Sequence, residues 1–316
     1  MERGPIASLP DVCEVEAIDG SEAKPDRPPD LLLEVAHGAT RAAHFDATAS
    51  RLVGTMPPDL RDFFFVNTDV GAPEIARRIA ARVVAADPGR RALLVRCLIP
   101  RTFVDCNRTI DAAQRARASA PGEMTPGLMP WITREEDRRF LLERHAAYAA
   151  VVDRAVARVC GSGGTALFVH TYAPREVDVA VDERIVERLR EAWGPQRIET
   201  FRLRPEADLI AREPGGRLLV DEDLVERTRA ALAGSGVTST VNGTYPLHPS
   251  TMAWLHASRH PGRTLCFEVR RDLVVRAFTP FTEMDADPAK ADAIAAPFAD
   301  ALVAWWRAAR TSPAPS

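Results

Sequence analysis

Leu31-Leu32-Leu33-Glu34-Val35-Ala36-His37-Gly38 is the stretch whose reading decides the fold. Its aliphatic residues run almost without alternation. That is the pattern of a short strand buried on both faces, as in a parallel or mixed sheet covered by helices. Ligands in such sheets bind just beyond the carboxyl ends of the strands. His37 is thereby placed at the edge of a site. Gly38 lets the chain turn away sharply and leaves room beside the imidazole. On this stretch alone, a histidine that merely caps a strand is an equal alternative.

Working outward, Ala92-Leu93-Leu94-Val95 and Ala166-Leu167-Phe168-Val169 repeat the pattern, and the latter runs into a second histidine, His170. Two apolar strands that each deliver a histidine are what a metal site in this architecture needs. Thr264 to Val269 is the last core strand, with Glu268 set between Phe267 and Val269. Ile198 to Leu203 and Thr238 to Val241 read as further strands. Helices are expected over Ala72 to Ala86, where Pro73 sits in the first turn, and over Arg134 to Arg158, Val181 to Trp193, Glu222 to Ala233 and Ala286 to Arg310. A short one starts at Ser250 or Thr251. The alternation predicts an α/β, three-layer sandwich: a mixed, mostly parallel sheet with helices on both faces. Residues 30–311 form one domain on this reading. Residues 1–29 are a loose lead-in with at most a short strand, and 312–316 a frayed tail. Phe63 to Val66 is a compact apolar run that delivers Asn67-Thr68-Asp69. His44-Phe45-Asp46 reads as a loop over the site, and Arg101 to Val104 as a short extended piece. Residues 112–131, punctuated by Pro-Gly pairs, read as a long loop of the kind that forms lids.

Composition narrows the function. The chain has 316 residues and a formal charge of -3, which argues against a nucleic-acid or polyanion binder. All basic residues but Lys24 and Lys290 are arginine, from which no function follows. The five cysteines are scattered without a CxxC spacing, so neither a disulfide framework nor a thiolate zinc site is indicated. Gly161-Ser162-Gly163-Gly164 lacks the Lys-Ser/Thr ending of a phosphate loop and precedes a strand. No signal sequence or long apolar run is visible, and a cytoplasmic protein with no membrane contact is expected.

The polar residues at strand ends are His37, Asp69, Arg101, Asn107, Arg108, His170, Asn242, Tyr245 and Glu268. Two neutral imidazoles and a carboxylate make a catalytic zinc shell with a position left for water. A bound zinc ion acidifies that water, a separate carboxylate takes its proton, and a guanidinium holds the oxyanion or a substrate carboxylate. Cys106 has no base specified near it, which argues against a thiol nucleophile.

In order, these motifs are His37-Gly38; Thr68-Asp69; Arg101 through Asp105 to Asn107-Arg108; Val169-His170-Thr171; Asn242 to Tyr245; and Glu268 through Arg270-Arg271 to Asp272-Leu273. The series resembles the N-formylglutamate amidohydrolase family and spans most of residues 30–275. Each motif is weak alone; six in order are moderately specific. The resemblance implies a fold like that of zinc carboxypeptidases, one zinc ion, and hydrolysis of an amide near a carboxylate. It further implies that Asn107 and Arg108 grip that carboxylate and that Glu268 is the general base. Carboxypeptidases place an acidic ligand three residues after the first histidine. Thr40 stands there in this chain, so Asp69 is nominated as the third ligand, with a helix N-cap as its alternative role. Ala36 replaces the Pro usual before His-Gly. Leu247-His248 follows Tyr245-Pro246 where the family carries two glycines, which suggests a reshaped pocket.

The expectation is a zinc-dependent hydrolase of a linear amide in an N-acyl amino acid or related carboxylate-bearing substrate, with another divalent metal as the alternative ion. Metal ligands are His37, Asp69 and His170. Glu268 is the base, Arg101 the oxyanion contact, and Asn107, Arg108, Asn242 and Tyr245 the substrate contacts. Structural alternatives remain for each: ion pairs for the arginines and Glu268, and an Asx-turn for Asn242. The rival functions are tailoring of a peptide substrate in a biosynthetic pathway, and a non-catalytic carboxylate-binding relative.

Overall fold

A computed structural model describes residues 4–110 and 123–311, with side chains to Ala309. Seven strands form one sheet: β1 Cys13–Asp19, β2 Leu31–Val35, β3 Arg91–Cys97, β4 Thr165–Tyr172, β5 Ala207–Ile210, β6 Ser239–Val241 and β7 Thr264–Arg270, in the order β1-β3-β2-β4-β7-β5-β6. The central four, β3-β2-β4-β7, are parallel; β1 and β5 run antiparallel to their inner neighbours, and β6 is parallel to β5. The expected mixed α/β sheet is therefore present.

Both faces are covered, which is why the central strands lack alternation. Leu31, Leu33 and Val35 of β2 point into a core shared with α3 (Ala72–Ala86), α6 (Glu222–Gly234) and α8 (Pro288–Thr311). Leu32 points the other way, into a core built by α1 (Ala42–Ala49), α2 (Leu60–Asn67), α4 (Glu135–Cys160), α5 (Ile185–Ala192) and α7 (Met252–Arg259). The first core is closed and apolar. The second carries the polar groups described below. No helix among the described residues is long and apolar enough to cross a membrane.

Several local expectations are corrected. The lead-in contains β1, a seven-residue strand paired along its full length with β3. Phe63 to Val66, the compact apolar run, belongs to helix α2, with all four residues buried; so short a run does not reveal its period. His44-Phe45-Asp46 lies in helix α1, not a loop. Ile198 to Leu203 holds a 3-10 turn at Ile198–Thr200 and a single bridge from Leu203 to Arg175, and the strand follows at β5. Arg101 to Val104 is a turn, joined to Leu128 by one bridge at Val104. In the long loop, Leu128, Met129 and Trp131 pack in the core and the Trp131 indole donates to the Thr102 carbonyl. The lid reading for the rest falls largely on residues 111–122, outside the described residues.

Candidate metal centre

His37 lies two residues past β2, and His170 is inside β4, which continues to Tyr172. Asp69 sits between α2 and α3, its backbone N–H directed to the His37 carbonyl at 3.4 Å. The turn that presents it needs Gly71, whose φ is +91° and where a Cβ would come within 2.5 Å of Val274 Cγ2. Gly38 is required for a different reason. A Cβ there would meet the Arg96 side chain at 2.5 Å, so β3 could not pass.

These three side chains converge. Asp69 Oδ2 lies 3.1 Å from His37 Nδ1 and 2.9 Å from His170 Nδ1. All three are buried, and their ligand atoms lie within 4.8 Å of one another. The N-cap alternative for Asp69 finds no support, because the N-cap of α3 is Gly71 and no side chain caps the helix. His37 Nε2 faces Asp105 Oδ1 at 2.8 Å. A proton on Nε2 answers Asp105, which leaves the Nδ1 lone pair aimed at Asp69. Without a cation, the imidazole would need protons on both nitrogens to satisfy both carboxylates. A divalent cation between the three donors removes that need, so the residues fit a metal, in the carboxylate–histidine–metal arrangement that orients the ligand. Burial works against charge on His170, yet Asp69, Cys266 and Glu268 together raise its pKa well above the ordinary imidazole value. Burial likewise opposes ionisation of Asp69, but His37 and His170 hold it well below the usual carboxylate range.

Asp105, named from the sequence only as part of a motif, lies against the candidate centre. Besides His37 it accepts Arg101 Nε at 3.0 Å and the Asn107 backbone N–H at 2.9 Å. Burial disfavours its charge, but Arg101, Arg108 and His37 keep its pKa well below the usual range. Its position inside the Arg-x-x-x-Asp-x-Asn-Arg motif was the available signal. Arg271 was also passed over. It is buried, donates to the Val66 carbonyl at 2.6 Å, and brings Nη2 to 4.0 Å from Asp69 Oδ1.

Glu268 pairs in register with His170 across adjacent parallel strands, which sets both side chains on the same face. Its Oε2 is buried without a partner. Burial, with Asp69 adding to it, raises the Glu268 pKa against the pull of His170. The alternative of a buried ion pair with an arginine is not seen among the described residues. Arg101 retains 22% side-chain exposure, and Asp105, Asp69 and Glu268 raise its pKa although burial opposes. Arg108 is buried and its Nε donates to the Thr125 carbonyl at 3.1 Å. Its own carbonyl faces His145 Nε2 at 2.8 Å, which gives His145 a structural task. The Asn107 amide lies 3.5 Å from His170 Nε2.

Tyr245 and Asn242 part company. The Asn242 side chain accepts the Ala211 and Arg212 N–H groups and donates to the Arg212 and Tyr245 carbonyls. With φ at 55°, it is drawn into the turn rather than offered to a ligand. The Tyr245 hydroxyl instead accepts Arg204 Nη2 at 2.6 Å. Cys106 is buried, and desolvation with Cys97 beside it pushes its thiol well up, unsuited to nucleophilic work.

No protein-family model and no curated protein matches the sequence. Solved structures do. The chain is similar to N-formylglutamate amidohydrolase from Ralstonia eutropha JMP134, with TM-score 0.56 and 18% identity over 94% of this chain and 98% of that one. It is also similar to gene product Atu2144 from Agrobacterium tumefaciens, with TM-score 0.53 and 18% identity over 95% and 96% of the two chains. At that identity the likeness establishes the architecture: this chain has the fold of an N-formylglutamate amidohydrolase structure, over nearly its whole length.

Proposed function

We propose that the protein is a metal-dependent hydrolase of a linear amide bond in an N-acyl amino acid or related carboxylate-bearing amide, with zinc the expected ion. The observation that carries this reading is the unpartnered, buried oxygen of Glu268, in register with His170 of a His-Asp-His donor set. A carboxylate left unpaired beside such a set is a base waiting for a proton.

His37, Asp69 and His170 would hold the ion, which supplies a Lewis acid that polarises the amide carbonyl and acidifies a water. Asp105 fixes the His37 ring. Glu268 takes the proton from the attacking water and returns it to the leaving nitrogen, so that it ends the cycle ionised as it began. Arg101, partly exposed and anchored by Asp105, supplies the guanidinium for the developing oxyanion. Arg108, with Asn107, orients the substrate carboxylate; its buried position and lowered pKa, set mainly by desolvation, favour an anionic partner.

The test is metal analysis of the purified protein, followed by turnover of a panel of N-formyl and N-acetyl amino acids before and after chelation. Activity that chelation abolishes and zinc restores is expected. A metal-free protein with undiminished turnover overturns the reading. The base must be ionised to act, so kcat/KM falls as pH drops through the Glu268 pKa, which burial pushes up.

A further inference from the structure

Arg204, in the loop before β5, is held at every point of its backbone. Its N–H donates to the Pro174 carbonyl at 2.9 Å, and its carbonyl accepts Arg270 Nη1 at 3.3 Å. Its guanidinium stacks near two rings, 5.2 Å from the centre of Tyr172 and 5.7 Å from that of Tyr245. Nη1 donates to the Ala173 carbonyl at 3.3 Å, and Nη2 to the Tyr245 hydroxyl oxygen at 2.6 Å. An arginine can only donate. The phenolic oxygen therefore serves as acceptor there, and its own O–H must find an acceptor elsewhere. Among the described residues it makes no other hydrogen bond.

Tyr245 follows a segment held beside the candidate site, because Asp208 pairs in register with Glu268 across β5 and β7. The segment carrying Tyr245 is rigid, because Asp208 accepts the Gly243 and Thr244 N–H groups at 2.9 and 2.7 Å. Arg204 Nε is buried and unpartnered, so the guanidinium that holds the phenol keeps one unspent donor.

We propose that Arg204 is a positioning residue: by occupying the acceptor side of the Tyr245 hydroxyl, it turns the phenolic O–H toward an oxygen of the bound substrate. The role rests on the amide-hydrolase reading above for the nature of that substrate. A lysine cannot replace the flat guanidinium stacked against the rings.

The experiment is a double-mutant cycle in the zinc-loaded protein, with R204M, R204K, Y245F and R204M/Y245F assayed on N-acyl amino acids. Loss of a hydrogen bond already made to bound substrate raises KM with kcat little changed. Each single variant should lose about tenfold in kcat/KM, R204K recovering only part, and the double variant should lose no more than Y245F alone. A second readout does not depend on turnover. Tyrosine labelled with 13C at Cζ gives three signals, since the chain has three tyrosines. R204M should move the Tyr245 signal and leave that of Tyr148; an N-acetyl amino acid should move the Tyr245 signal in the parent but less in R204M. Full additivity in the cycle, or a Tyr245 signal indifferent to R204M, overturns the assignment. Absence of any turnover by the metal-loaded parent defeats the hydrolase reading instead, while the signals still decide whether Arg204 sets the hydroxyl.

Discussion

The two ends of strand β2 carry charges of opposite fate. At its entry, Asp30 Oδ1 accepts Arg90 Nη1 at 2.7 Å and Oδ2 accepts the Arg91 N–H at 3.0 Å. Arg90 is itself stacked 4.5 Å over the Trp306 ring and bonded to Asp87 at 3.1 Å. At its exit lie His37, Asp69 and His170, with Glu268 Oε2, Arg204 Nε, Thr244 Oγ1 and Arg271 Nε all buried and unpaired. A buried polar atom without a partner costs on the order of 1–3 kcal/mol. At the entry the protein has removed that cost; at the exit it has kept it. Within one protein, the hydrogen-bonding capacity of Asp30 is used up at the entry, while Glu268 Oε2 beside the His-Asp-His group keeps its own unspent.

This contrast can be broken by substitution. The largest effect is expected from His170→Ala, which removes one of three donors: metal content should fall to background and activity by on the order of 10⁴-fold or more, read by metal analysis and turnover. A variant that keeps stoichiometric metal would mean the ion is held elsewhere. Glu268→Gln should come next, with metal and melting temperature kept and kcat lowered on the order of 10³-fold. Because its buried oxygen has no partner, the amide should be tolerated; a large fall in stability would show instead a structural ion pair. Asp105→Asn leaves the His37 ring without its carboxylate, and metal affinity should weaken about 10- to 100-fold in a competition titration. The smallest effect tests the opposite end of the strand. Asp30→Asn should cost about 1–2 kcal/mol, or about 2–4 °C in melting temperature, with kcat unchanged. A drop in kcat at constant stability there would erase the distinction between the two ends.

Some of this was legible without coordinates. The uninterrupted aliphatic runs at Leu31 and Ala166 announced buried parallel strands, because a strand covered on both faces cannot alternate. The histidines after them stood where such sheets bind ligands. Glu268 between Phe267 and Val269 advertised itself, since an acid in an apolar strand needs a reason to be there. Two other features were not legible, for different reasons. Phe63 to Val66 is helical and fully buried, and four residues without a polar face do not reveal their period. Glu34, buried on β2 and hydrogen-bonded to the Tyr148 hydroxyl, looked like an ordinary strand residue. Burial raises its pKa, and its partner comes from α4, more than a hundred positions away.

The order of residue types along the chain determined by itself the class of fold and nominated candidate side chains near the strand ends, because hydrophobic period and local turn chemistry are short-range properties. Which of those side chains act together was decided only by tertiary structure. Asp69 reaches the histidines rather than capping a helix, Asn242 is consumed by its own turn, and Asp105, Arg204 and Arg271 enter the site. Each outcome depends on distances between segments tens to hundreds of residues apart, where the energy of a charge or hydrogen bond is set by the partner that packing brings to it and not by its neighbours in sequence.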